Sequence, residues 1–254
     1  MIREKLIESD FGSDRDFRWR GHEVSRIEGL SDAVFAFAIT LLVVSLEVPK
    51  TFNELAETMH GFGAFLVSFV LLFAVWFNQY KFFRRYGLRD TATVVLNAAL
   101  LFVVLFYVYP LKFLFSFLID RFTGGHGEVR LPNGNVVAMI ESLDQLSSLM
   151  IIFNLGYLAV FTVFVLLFYH AYRKREALGL NELERFDTRD SIVESILNCG
   201  IAIVSLLVVT IGGPTRAGLA GMTYMLTPLV MMLHGMLTGR RRKTIRGAGG
   251  NALI

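Results

Sequence analysis

The chain has 254 residues, is 54 % hydrophobic and 19 % charged, and contains 23 Phe, 5 Pro and a single Cys. Soluble domains sit nearer about 45–50 % apolar, so this composition points to a membrane protein, and one cysteine excludes a disulfide framework. The net charge of +3 comes mostly from loop lysines and arginines and calls for no nucleic-acid partner.

Residues 1–26 form a charged arm with no apolar core segment, so no cleavable signal peptide is expected and the first apolar helix serves as its own insertion signal. A bilayer core needs about 20 mostly apolar residues per helix. Six stretches meet that length: 28–48, 60–82, 91–118, 147–171, 192–211 and 217–238. The expected fold is therefore all-α, with six transmembrane helices in a unit over 27–239 and a basic tail at 240–254. Between the third and fourth stretches, the loop at about 119–146 carries "EVRLPNGNVVAM", which reads as a small hairpin.

Loop charge sets the expected orientation. Twenty Lys and Arg fall in the arm, the loops after the second and fourth stretches, and the tail; the opposite side has four, Lys50, Arg121, Arg130 and Arg216. The positive-inside rule then puts both termini in the cytoplasm and the 119–146 loop outside. The aromatics of "WFNQYKFF", Trp76 to Phe83, fit an interfacial belt.

Signals for catalysis are missing. The five histidines, His22, His60, His126, His170 and His234, show no metal-ligand spacing. Four of them read as solvated, and His234 as bonded to a neighbouring helix. Cys199 has no histidine partner in its segment and reads as a small buried hydrophobe. "GMLTG", Gly235 to Gly239, matches GxxxG only at the end of the last stretch. No enzyme activity, cofactor or metal site is expected.

Polar residues inside apolar helices are costly and face an interior or a water path. Asn97 and Asn198 read as hydrogen-bonding partners between helices, while Lys112, near the outer end of the third stretch, reads as snorkelling. The first stretch, "RIEGLSDAVFAFAITLLVVSLEVP", is the informative one. At 100° per residue, Ala33, Phe37, Thr40, Val44 and Glu47 share a sector about 80° wide. Two readings fit this stripe. In a plain anchor, Thr40 bonds back to its own helix and Glu47 sits among headgroups. In a pore wall, symmetry copies stack the residues into rings: Glu47 an acidic outer ring, Thr40 a hydroxyl layer, Phe37 an apolar constriction. Arg26 and Asp32 lie about 120° apart around the helix, so each is expected to bond other helices.

At these residues the chain resembles the transmembrane protein 175 family. "RIEGLSD" is similar to that family's Arg-x-x-x-Phe-Ser-Asp signature, "WFNQYKFF" to its helix-two ending, and "LNAALLFVVLFYVYP" to its third helix, with Asn97 and Pro110 in matching places. The resemblance covers most of the chain. It implies a potassium channel of the prokaryotic plasma membrane, a homotetramer of six-helix chains whose first helices line a central pore. It further implies that Arg26, Ser31 and Asp32 brace the helices, that Thr40 belongs to a layer associated with potassium selectivity, and that Phe37 stands where a Leu or Ile constriction is usual. Three departures stand out: Leu30 replaces the signature Phe, Gln79 and Tyr80 replace paired histidines, and Phe37 is bulkier than Leu. The implied partners are potassium ions, other copies of the chain and lipid. A non-conducting scaffold or sensor, and a proton-coupled transporter using Glu194, Asp32 or Glu47, are the rival readings.

Overall fold

The computed structural model describes residues 17–44, 50–52, 55, 59, 61–125, 127–130 and 135–250. In chain order these form α1 (Arg26–Val44), α2 (Phe62–Tyr86), α3 (Thr91–Phe122), β1 (Glu128–Arg130), β2 (Val136–Ala138), α4 (Leu143–Arg173), α5 (Glu182–Gly212), α6 (Ala217–Met222) and α7 (Leu226–Gly250). Short 3-10 turns at Pro214–Arg216 and Thr223–Met225 flank α6.

The helix ends follow local chemistry. Asp90 caps α3, its carboxylate accepting from the Thr93 amide. Asn181 and Glu184 form a reciprocal capping box at the start of α5, which satisfies two otherwise orphaned amides. Gly87 ends α2 at φ 58°, a conformation that suits glycine, and its N–H reaches the Phe83 carbonyl.

Among the described residues, five helical segments are long and apolar enough to cross a membrane: Phe62–Tyr86, Thr91–Phe122, Leu143–Arg173, Glu182–Gly212 and Pro214–Arg242. The expected first span, 28–48, is not among them, and its residues 45–48 lie outside the described residues. The expected single helix over 217–238 is broken into α6, a 3-10 turn and α7. Pro228 falls in the first turn of α7, where its missing N–H costs no helical bond. α7 then runs on through residue 239 into the basic tail as far as Gly250. The loop expected at 119–146 shrinks to the connection between Phe122 and Leu143, and its hairpin forms, with Val129 opposite Val137.

α4 is the centre of the bundle, packed against α3 on one side and α5 on the other, while α1 packs on α2 and α3. Two apolar cores result. One joins Phe35, Phe82, Phe83, Tyr86, Leu100, Phe164 and Phe168. The other joins Tyr107, Leu111, Met150, Phe153, Val209 and Ala220. Gln79, Phe82 and Phe83 are buried, so the last part of the stretch expected as an interfacial belt is core instead. Large apolar side chains elsewhere on the long helices, such as Phe102 and Phe106, face outward, as they do where the solvent is lipid.

Residues 17–21 lie as a strap across the ends of α2 and α5. The amides of Arg20 and Gly21 donate to the Arg84 carbonyl at 3.0 and 3.1 Å, and Phe17 packs edge-on against Tyr86. A Cβ at Gly21 would come within 2.5 Å of the Phe83 oxygen, so this crossing needs glycine.

Candidate functional site

α1 is two-faced. Ser31, Phe35, Ala38 and Leu42 are each 2 % exposed or less and pack against α2 and α3. Arg26, Gly29, Ala33, Ala36, Phe37, Thr40 and Val43 are exposed, with Phe37 at 57 %. These positions recur at the helical repeat and leave one side of α1 unpartnered among the described residues. The expected stripe of Ala33, Phe37 and Thr40 falls on that side. Val44 ends the described helix, and Glu47 lies outside the described residues. The Thr40 hydroxyl donates to the Ala36 carbonyl at 2.8 Å, the bond expected of an anchor. That bond engages its proton and leaves the oxygen lone pairs on the exposed side.

The buried face is pinned by a polar relay. Ser31 donates to the Ile27 carbonyl (2.8 Å) and accepts from Asn97 Nδ2 (2.9 Å). Asn97 Oδ1 in turn accepts from Gln79 Nε2 at 2.6 Å. Three helices are thereby tied through side chains that are 1–2 % exposed, in a setting where a lone polar group would be expensive. Asp32 Oδ1 accepts from Trp76 Nε1 at 2.8 Å, so it bonds α2, as its angular separation from Arg26 requires. Trp76 also continues a ladder of Phe62, Phe65, Phe69 and Phe73 along α2, successive ring centroids lying 5.1–6.1 Å apart. Arg26 is exposed and makes no hydrogen bond or ion pair among the described residues.

Several polar residues sit differently from expectation. Lys112 does not reach outward past its helix end: its Nζ lies 2.8 Å from the Leu42 carbonyl of α1. His170 is no solvated boundary residue, because its Nε2 is 2.7 Å from Asp90 Oδ2, where Lys174 Nζ also arrives at 2.6 Å. His234 does meet a neighbouring helix, its Nε2 being 2.8 Å from Asp190 Oδ1. Arg242 grips Asp187 with two bonds of 3.0 Å, so both pairs hold α7 against α5. A Cβ on Gly235 or Gly239 would touch nothing within 4 Å, so the GxxxG pattern is no packing seam inside the chain. Cys199 is half-buried beside Thr162, and Asn198 accepts from the Tyr157 hydroxyl at 2.6 Å. Among the described residues no group of three or more His, Cys, Asp or Glu is arranged to hold a metal ion.

Burial raises the Asp90 carboxyl, but hydrogen bonds from Lys174, Thr93 and His170 outweigh it and hold the group well below the usual carboxylate range. With its folded pKa depressed, Asp90 stabilises the fold fully above its unfolded pKa of about 4, and that contribution fades as pH falls below it. Asp90→Asn is therefore expected to lower the melting temperature at pH 7 and to flatten its decline below about pH 4. Thermal melts of the two proteins across that range test the sign.

Two pairings are not legible in the sequence: Trp76 with Asp32, because Trp76 reads as part of an interfacial belt, and Arg20 with Glu184. The Asn-x-x-Glu spacing of "NELE" was the available signal for the second pair, since it marks a capping box.

Five long apolar helices and a two-faced α1 define an integral membrane protein. The profile described as "Endosomal/lysosomal potassium channel TMEM175" matches residues 26–107, which cover α1, α2 and the first half of α3. A protein of Marivirga tractuosa named "Potassium channel" is 38 % identical over 244 residues, 95 % of this chain and 98 % of that protein. Potassium channel Cha6605_3372 of Chamaesiphon minutus is 36 % identical over 107 residues, 38 % of this chain and 52 % of that protein. A crystal structure of a variant of the potassium channel MtTMEM175, in complex with a Nanobody-MBP fusion protein, superposes with a TM-score of 0.78 at 39 % identity. The match covers 91 % of this chain and all of that one, 100 %. A lysosomal potassium-selective channel TMEM175 homolog from Chamaesiphon minutus shares the fold at a TM-score of 0.53 and 24 % identity, over 82 % of this chain and 96 % of that one. The chain belongs to the transmembrane protein 175 family.

Proposed function

We propose that this protein is a potassium-preferring cation channel of a prokaryotic plasma membrane, conducting passively through a pore lined by α1. The observation that carries the reading is the unpartnered face of α1, on which Ala33, Phe37 and Thr40 are exposed at helical spacing in a chain whose relatives are named potassium channels. The exposed Phe37 and the back-bonded Thr40 hydroxyl suit lipid too, and the relatives named potassium channels are what favour a pore. Copies of the chain arranged as a homotetramer around α1 would cover that face.

In that assembly the chain crosses the membrane six times with both termini cytoplasmic, as the loop charge requires. Its parts are the arm at 1–26, the channel domain at 27–239 and the tail at 240–254. Phe37 forms the hydrophobic constriction, and Thr40 presents a layer of oxygens that replaces part of an ion's hydration shell. Ala33 and Val44 line the pore on either side, and Glu47 concentrates cations at the outer mouth. Ser31 and Asp32 hold the back of α1 to α2 and α3, while Arg26 is left to meet a neighbouring copy.

Flux from liposomes under a potassium gradient tests this function, with no coupled ion required. Thr40→Val keeps the shape but removes the oxygen, and it is expected to lower the potassium-over-sodium permeability ratio severalfold, read as a shift in reversal potential. Protein that folds, passes no potassium and stays silent with Phe37→Ala supports the scaffold instead. Flux that needs a proton gradient and is lost in Glu194→Gln supports the transporter.

A further inference from the structure

Lys112 is the one Asp, Glu, Lys or Arg between Thr91 and Ile119 of α3, an otherwise apolar stretch of the chain's longest helix. An ammonium at such a position is costly, and a lysine near a helix end ordinarily relieves that cost by extending toward the headgroups. Asp120, two turns further on, lies toward that nearer end. Lys112 instead turns to α1 and donates to the Leu42 carbonyl at 2.8 Å. Leu42 is 1 % exposed and stands on the packed side of α1, two residues past Thr40 and one before the exposed Val43. The cation thus acts from behind the wall that presents Phe37 and Thr40.

Two further ties on α1 lie at its opposite end. Ser31 and Asp32 hold the first turns through Asn97 and Trp76. Around Leu42, α1 also packs through apolar side chains, which set distance but tolerate rotation and sliding more than a directed bond does. A charged hydrogen bond to a backbone oxygen does not depend on which side chain α1 carries there, so it fixes the path of the helix itself.

We propose that Lys112 is a positioning residue for the pore, which locks the Thr40-bearing turns of α1 in register. This rests on the channel reading for its consequence in permeation, while the bracing of α1 stands by itself. Two consequences follow from one bond. The outer turns of α1 open less often than they would without it, and the Thr40 oxygens keep one distance from the axis.

The test compares Lys112→Met, an unbranched side chain one atom shorter and without a donor, with Lys112→Arg, which keeps both charge and donor. Hydrogen exchange in lipid nanodiscs reads the first consequence. Amides of residues 38–44 are expected to lose protection about tenfold in Lys112→Met and regain it in Lys112→Arg, with α4 and α5 unchanged. A uniform loss over all helices, or no loss at 38–44 in a folded variant, overturns the bracing role. If Lys112→Met does not fold, Lys112→Leu, which likewise lacks a donor, takes its place with the same loss expected at 38–44. Reversal potentials in planar bilayers read the second consequence. The potassium-over-sodium ratio is expected to fall severalfold in Lys112→Met and to recover in Lys112→Arg, and an unchanged ratio overturns the role in permeation. A wild-type protein that conducts nothing overturns the channel reading and that role together, while exchange at 38–44 still decides the bracing.

Discussion

Glu184→Ala is expected to destabilise the protein by about 3–5 kcal/mol, the range for removing one partner of a buried ion pair. Glu184 is 1 % exposed and serves four donors. Arg20 Nη1 and Nη2 reach its two oxygens at 3.0 and 2.7 Å, and the amides of Arg18 and Asn181 arrive at 2.8 and 3.0 Å. Truncation leaves the Arg20 guanidinium, whose side chain is 15 % exposed, without its carboxylate and opens the capping box of α5 at the same time. Arg20 keeps bonds to the Leu178 and Gly179 carbonyls, at 2.8 and 3.2 Å, so the strap weakens rather than detaches. Two controls separate the terms. Arg20→Ala should cost less than Glu184→Ala because Glu184 retains both backbone donors. The double variant should cost clearly less than the sum, since the two residues share one interaction. Denaturant or thermal melts in detergent measure all three, and a loss below about 1 kcal/mol in Glu184→Ala would show that the strap does not anchor α1 to the body.

The second large effect belongs to permeation. On the channel reading, Phe37→Ala should raise unitary conductance severalfold while leaving the fold nearly as stable as before. Both halves follow from the same fact, that Phe37 is 57 % exposed in the single chain. Its ring makes few core contacts, so truncation leaves no interior cavity of the kind that destabilises buried sites. In a symmetric pore, however, four rings converge on the axis, and an apolar constriction resists ions because water drains from it. Replacing the rings by methyl groups widens and wets that section at once. Planar-bilayer recordings measure the change, and a normally assembled Phe37→Ala with wild-type conductance would place the narrowest point elsewhere.

Composition and run length were enough to recognise a membrane protein, since a bilayer admits little besides long apolar helices and demands about 20 residues from each. They overstated the regularity of the last segment, where one expected helix is broken into α6, a 3-10 turn at Thr223–Met225 and α7. The stripe on α1 was legible as well, because helical periodicity assigns residues to faces before any partner is known. Periodicity left open whether that stripe faced protein, lipid or a pore. The structure answers for protein alone: among the described residues nothing covers the Phe37 and Thr40 side.

What the sequence determined by itself was thus local: most helix spans, the hairpin, and the angular order of Ala33, Phe37 and Thr40. All of these depend on residues close together in the chain. Only the tertiary structure decided which polar groups meet. Asp32 finds Trp76 across 44 residues, Lys112 finds Leu42 across 70, and Arg20 finds Glu184 across 164. Those pairings rest on how the helices pack, and no spacing rule carries that information. The physical reason is that an apolar interior forces each buried polar group to find a partner without specifying which one, so the choice falls to geometry.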